Sequence, residues 1–290
     1  MKNFAKSVLR QLGLLESLRK RKRMREHRDF IAKYKGDGIY TLNLQGKKIK
    51  FSVEDLYSLR WFYPRYLNNK VHEEPVVLKM LELMQGKTSF ADVGTNLGYF
   101  TCIAGVHFPD ADYYGFEMDP DSVALLKNNV RLNNIKSCEV NLAAVAERPG
   151  KIEFFKPSSE PSAGLSMSDK PKSSDIRYEV PAVVLDDYFA KAKSYPQVMK
   201  IDVEGAEMGV LKGMQHILSK IRPEILLEIH PIKLQAFGVD QSQVLSFLRE
   251  HQYRLWLFED FREGGSKVAL REIAADELLK DNLMIYCQPQ

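Results

Sequence analysis

The sequence predicts an α/β fold: a mostly parallel, seven-stranded sheet with helices on both faces and one antiparallel strand. Three observations carry that prediction. Short apolar runs alternate with amphipathic stretches between about residues 75 and 251, the pattern of strand–helix–strand units. The first run ends in Asp92-Val93-Gly94-Thr95-Asn96-Leu97-Gly98, a glycine-bracketed turn leading into a helix. The last two runs, 254–258 and 283–287, are connected through Gly264-Gly265, which suits an antiparallel pair.

A chain of 290 residues can bury one full α/β core with appendages. We place an N-terminal extension at 1–72 and the main domain at 73–290. Cys102, Cys138 and Cys287 stand far apart with no C-x-x-C spacing, which argues against a disulfide framework or thiolate metal site. No run approaches ~18 uninterrupted apolar residues and no secretory signal is apparent, so the expectation is a cytoplasmic chain. The net charge of +4 is unevenly spread. Residues 1–35 hold twelve Lys or Arg against three Asp or Glu, leaving the remainder at −5.

Within that arm Phe4, Val8, Leu12, Leu15 and Leu18 recur at helical spacing, and Arg19-Lys20-Arg21-Lys22-Arg23 follows. An apolar stripe beside a basic run fits an anionic membrane surface, here the inner face, or a lipid-linked acceptor. The other uses are nucleic acid, which we disfavour, or packing on the chain's own core or a second copy in a homo-oligomer. Alternation over 39–53 around Gln45-Gly46 predicts a hairpin. Residues 56–67 are rich in aromatics (Tyr57, Trp61, Phe62, Tyr63, Tyr66), read as core packing or a pocket wall. Pro75 fits the first turn of a helix closed by Gly86, with His72, Glu73 and Glu74 at its entrance.

The turn at 92–98 has the strand–glycine–helix form of a nucleotide cradle. It departs from the dinucleotide fingerprint because an acidic residue leads and a glycine is missing. A carboxylate at that position repels a pyrophosphate but suits an ammonium. S-adenosylmethionine, with an ammonium and a sulfonium, is therefore the predicted cofactor. Glu117 ends the next strand about 20 residues past the glycines, where an acidic side chain can accept bonds from ribose hydroxyls. The candidate cofactor set is Asp92, Gly94, Thr95, Asn96, Gly98, Tyr99, Glu117, Met118, Asp202 and Ala143, the last from a stretch (141–144) read as flanking an adenine. Asp119-Pro120 starts the next helix.

Residues 157–174, dense in Ser, Pro and Lys, read as a substrate-side loop with Ser162, Gly164 and Ser166 as contacts, or as a surface insertion. Val198-Met199-Lys200-Ile201-Asp202 is an apolar strand ending in a carboxylate; Glu204-Gly205 then turns into a helix expected over 208–218. The strand at 224–230 brings Glu228 and His230 to the same edge. His230, Asp202 and Glu204 are the candidate catalytic residues. His230 serves as general base because an unperturbed imidazole titrates near 6.5, with Asp202 as the alternative. No dedicated metal site is assigned, although Asp202, Glu204, Glu228 and His230 could hold a divalent cation.

Asp-Val-Gly-Thr-Asn-Leu-Gly-Tyr-Phe at 92–100, Gly-Phe-Glu-Met-Asp-Pro at 115–120, Leu-Asp-Asp at 185–187, Lys-Ile-Asp-Val-Glu-Gly-Ala-Glu at 200–207 and Leu-Lys-Gly at 211–213 resemble the FkbM family of S-adenosylmethionine-dependent methyltransferases. The similarity runs from about residue 75 to 230. It implies a class I, Rossmann-like methyltransferase fold and O-methylation of a hydroxyl on a sugar, glycan, glycolipid or natural product. It also places Asp92, Gly94, Asn96, Gly98 and Glu117 at the cofactor and Asp202 and Glu204 at the reaction centre. Base-amino methylation is disfavoured by the lack of Pro-Pro, and cytosine C5 methylation by the lack of a suitable cysteine. RNA ribose methylation stays open, as does a non-catalytic cofactor-binding module that docks on membranes.

Overall fold

The computed structural model describes residues 25, 37–55, 57–58, 69–157, 167, 172–173, 175–262, 267–274, 277 and 282–290. The expected helix at 2–34 apart from Arg25, the aromatic segment apart from Tyr57 and Ser58, the contacts at Ser162, Gly164 and Ser166, and Gly264-Gly265 lie outside them.

The predicted hairpin is present as β1 (Ile39–Leu44) and β2 (Lys47–Ser52), turning at Gln45-Gly46 with φ of 46° and 77°. Two positive φ values are what a tight two-residue hairpin turn needs. Its buried Leu42, Ile49 and Phe51 join the core built by α1 (Glu74–Leu83). The free edge of β2 is covered by side chains further on. Asn129 Oδ1 accepts Ser52 N–H at 2.8 Å, and Asn133 both accepts from and donates to the Lys50 backbone.

The main sheet comprises β3 (Ser89–Val93), β4 (Asp112–Glu117), β5 (Cys138–Leu142), β9 (Val198–Ile201), β10 (Glu224–Ile229), β11 (Tyr253–Phe258), β12 (Leu270–Glu272) and β13 (Leu283–Pro289). Their spatial order is β12-β11-β13-β10-β9-β3-β4-β5. The five strands from β5 to β10 pair in parallel, and β13 runs antiparallel to both β10 and β11. This is the expected seven-stranded class I sheet with one antiparallel strand, extended by the short edge strand β12. A separate three-stranded sheet joins β6 (Ala144–Val145), β8 (Asp175–Val183) and β7 (Gly150–Pro157). Buried Lys156 ties it to the body through Asp119 (3.0 Å) and Asp121.

Period-two alternation gives the main sheet two apolar faces. Phe90, Tyr113, Val198, Leu226 and Met284 face the hairpin, α1 and α2 (Tyr99–His107). Ala91, Tyr114, Met199, Ile225 and Ile285 face α4 (Leu185–Phe189), α5 (Glu207–Lys212) and α7 (Gln241–Glu250). In sequence α3 (Pro120–Leu132), capped by Asp119 as expected, lies between α2 and α4, and the single turn α6 (Pro231–Leu234) between α5 and α7. The helix expected over 208–218 is broken. It ends at Lys212 with Gly213 as its cap, at a close approach to the Ala146 carbonyl that only glycine allows, since a Cβ there would sit 2.4 Å from that oxygen. A π turn at Ile217–Ile221 follows, its entry capped by Asp186, which accepts from His216 and Ile217 N–H. Among the described residues no helix is long and apolar enough to cross a membrane.

Candidate active site

Strand register sets the site. Asp92 pairs with Gly115 on one side and Lys200 on the other, and Lys200 pairs with Leu226. Counting by twos puts Glu117, Asp202 and Glu228 on that same face at the C-terminal edge of the sheet, with His230 just beyond the tip of β10. Parallel α/β sheets place ligands at this edge.

The β3–β4 side is organised by backbone. Gly94 (φ 81°) and Asn96 (φ 52°) take left-handed conformations, and Gly94 and Thr95 N–H both donate to the Phe116 carbonyl. A Cβ on Gly94 would lie 1.8 Å from the Asp202 carbonyl oxygen, so only glycine fits where β3 and β9 meet. Asp92 accepts from the Thr95 (2.9 Å) and Thr101 (2.7 Å) hydroxyls. Burial pushes its carboxyl above the usual range against those bonds. Glu117 accepts Asn96 N–H at 2.8 Å and Asp119 N–H at 2.9 Å, one on each oxygen; burial raises its pKa to about 7. Each oxygen keeps acceptor capacity for a ligand hydroxyl.

The expected cofactor residues divide into two groups. Gly94, Asn96, Gly98 and Glu117 surround the turn, and Ala143 joins them through its N–H to the Glu117 carbonyl (2.9 Å). Thr95, by contrast, spends its hydroxyl on Asp92. Tyr99 turns inward, its hydroxyl donating to the His72 carbonyl (3.1 Å) and its ring packed near Phe51 and Phe100. Met118 packs on the small sheet beside Phe154 and Val180. All three side chains are engaged within the fold.

The β9–β10 side is organised by charge. Lys200 is 1% exposed, with its ammonium 3.2 Å from Asp202 Oδ2 and over the Phe100 ring. His230 Nε2 lies 3.4 Å from Glu204, 3.5 Å from Glu228 and 3.8 Å from Asp202, while Nδ1 meets Glu207 at 2.8 Å. Lys233 pairs with Glu204 (2.9 Å), and Arg262 with Glu228. Glu204 (φ 51°) and Gly205 (φ 107°) form the turn that presents this group. A Cβ on Gly205 would meet Lys233 at 2.8 Å.

Burial opposes a charge on Lys200, but Asp202, Glu228, Glu73 and Asp92 outweigh it and hold the ammonium well above its usual range. Burial likewise opposes Asp202 ionisation, and Lys200 and His230 reverse it, holding that carboxyl low. Glu228 goes the other way: burial, then the Asp202 charge, push it well above the carboxylate range. His230 is disfavoured as a cation by burial, yet the Glu207 bond and the Asp202, Glu204 and Glu228 charges raise it to about 9. An imidazole titrating near 6.5 was the premise for its role as base, and that premise needs correcting. In the free protein His230 is a cation at neutral pH.

Asp202, Glu228 and His230 offer ligand atoms within 4.8 Å of one another. Lys200 and Arg262 pair with the two carboxylates of this group and would compete with a divalent cation for them. Sequence reasoning missed Lys200, Glu207, Glu73 and Arg262. A lysine inside the fully buried strand Val198–Ile201 was the available signal, since unpaired buried lysines are rare. Arg262 and Glu73 had none, because only the fold brings them here.

A family model described as Methyltransferase FkbM domain matches residues 92–255. The hexuronic acid methyltransferase AglP of Haloferax volcanii is 27% identical over 201 residues, covering 69% of this chain and 74% of that protein. Methyltransferase 1 of Beauveria bassiana is 23% identical over 164 residues, covering 50% of this chain and 66% of that one. Among solved structures, methyltransferase FkbM from Methylobacillus flagellatus is 15% identical with a TM-score of 0.45, covering 80% of this chain and 55% of that one. With more than half of its length matched by that domain, the chain belongs to the FkbM family of S-adenosylmethionine-dependent methyltransferases.

Proposed function

We propose that the chain O-methylates a sugar hydroxyl, a hexuronic acid being the first acceptor to try, with His230 taking the hydroxyl proton. The observation that carries this reading is the position of His230 Nε2 among Asp202, Glu204 and Glu228, directly across the Gly94–Asp202 contact from the glycine turn. The hexuronic acid comes from the similarity to AglP.

The residues present fit S-adenosylmethionine. Gly94 and Gly98 let the turn close against the Asp202 carbonyl and the Leu126 side chain, where a Cβ would sit 1.8 Å and 2.4 Å away, Glu117 is pinned with acceptor capacity to spare, and Leu142, 40% exposed at the tip of β5, offers an apolar surface to an adenine. When bound, the cofactor supplies an electrophilic methyl on a sulfonium. The chain's task is to hold the acceptor oxygen in line and accept its proton. Nε2 would take the acceptor hydroxyl proton as the methyl is transferred, and the surrounding carboxylates would stabilise the resulting imidazolium. Because His230 must first be neutral, the rate is expected to climb with pH toward about 9.

Labelled S-adenosylmethionine offered with glucuronic acid, nucleotide sugars, lipid-linked glycans and RNA tests the acceptor. A methyl ether on the sugar is expected, and label confined to RNA would overturn the reading. His230→Ala should lower the single-turnover rate by ~10²–10⁴-fold with cofactor affinity kept; an unchanged rate from pH 6 to 9 removes His230 as base. We also propose that the +9 arm over 1–35 docks on anionic lipid. Equal flotation with neutral and anionic liposomes would count against it.

A further inference from the structure

Glu207 lies outside every role assigned so far, although it is the most deeply buried acid of the site, at 0% exposure. It opens α5, and its Oε1 collects three bonds from two separate loops: Gly205 N–H at 3.0 Å, His230 N–H at 3.2 Å and His230 Nδ1 at 2.8 Å. Its other oxygen, Oε2, is buried with no hydrogen-bond partner among the described residues.

Two considerations separate a role at His230 from mere scaffolding. First, the loop tie needs only an acceptor oxygen, which a neutral glutamine would supply. Burying a carboxylate with one oxygen unsatisfied costs stability for no gain in the fold. Second, the geometry at the imidazole is directional. A carboxylate on Nδ1 makes that nitrogen the proton-bearing one and fixes the ring plane, leaving Nε2 to exchange protons. Nε2 is the nitrogen that faces Asp202 and Glu204 beyond β9 and Glu228 on β10.

We propose that Glu207 is a positioning residue: it holds His230 by Nδ1, fixes its tautomer and aims Nε2 at the place where the acceptor hydroxyl is deprotonated. The inference rests on the reading of His230 as the base, and the test keeps the two apart.

The full chain, labelled with ¹⁵N-histidine, is compared as wild type, Glu207→Ala, Glu207→Gln and His230→Gln, free and with S-adenosylhomocysteine. Above pH 10 the wild-type His230 ring is expected to carry its proton on Nδ1, in slow exchange with water. Glu207→Ala should give mixed tautomers and fast exchange, and Glu207→Gln should restore the Nδ1–H form. For methyl transfer to glucuronic acid, Glu207→Ala should lower kcat by ~10–100-fold with acceptor KM within about twofold, and Glu207→Gln should recover part of that loss. A wild-type ring that is Nε2-protonated or exchanges freely overturns the proposal, and this readout needs no variant to fold and no acceptor to turn over. So does Glu207→Ala with unaltered tautomer and kcat, or with loss confined to melting temperature and cofactor affinity. If His230→Gln keeps full activity the base reading falls instead, whatever Glu207 does. If His230→Gln is inactive while Glu207→Ala is not, the positioning role alone is wrong.

Discussion

The two halves of this site are made of different materials. Between β3 and β4 the bonds run from backbone amides and threonine hydroxyls to Asp92 and Glu117, and the shape comes from residues held at positive φ. Between β9 and β10 the shape comes from ions: Lys200, His230, Lys233 and Arg262 set among Asp202, Glu204, Glu207 and Glu228. The first half is fixed by chain conformation and should tolerate changes of charge. In the second, each group depends on the charge of its neighbours, so removing one disturbs the rest.

The most severe test of that contrast is Lys200→Met, nearly the same volume without the charge. It leaves Asp202, Glu228, Glu73 and Asp92 without their shared cation and should cost ~3–5 kcal/mol in urea unfolding. A loss below about 1 kcal/mol would mean that charge does not organise that half. Gly94→Ala probes the conformational half, and should cost at least ~2–3 kcal/mol because the left-handed backbone and the Asp202 carbonyl both resist a methyl group. Unchanged stability there would show that the seam yields.

Changing pH sharpens the comparison without mutation. His230, raised from 6.5 to about 9, contributes stability that is full below pH 6.5 and lost as pH rises through 9. Glu228, also raised, adds loss in the same direction. The melting temperature should therefore fall by several degrees from pH 6.5 to 9.5, and His230→Gln should flatten the slope. A profile that is flat in the wild type would separate the histidine from its carboxylates. The smallest effect is expected from Tyr57→Phe. It removes the bond from the Tyr57 hydroxyl to Asn96 Oδ1 (2.8 Å), which reaches the cofactor turn from outside the matched domain. Cofactor Kd should rise by ~3–10-fold with kcat unaltered; a fall in kcat instead would place Tyr57 with the reaction half.

The same contrast decides what could be read before the fold was known. Asp92, Gly94, Gly98 and Glu117 act through spacing along the chain, so the glycine turn and the acidic strand end were visible in the letters. So was the antiparallel last pair, from the connection through Gly264-Gly265. The proton affinity of His230 was not, because it is set largely by carboxylates of the 202–207 stretch that only the folded sheet brings beside β10. Lys200 stood inside a quoted motif, yet its partners Glu73 and Glu228 are more than a hundred residues apart in the chain. The close approach at Gly213 was equally hidden, since the carbonyl it meets belongs to Ala146.

Where Gly94 backs onto the Asp202 carbonyl, and Asp202 N–H binds the Val93 carbonyl at 2.8 Å, the two strands touch main chain to main chain. No side chain lies in that gap to be exchanged for a larger or smaller one. The spacing of the two halves is thus fixed by main chain, which leaves adjustment to side chains at the rim such as Ile232, 78% exposed.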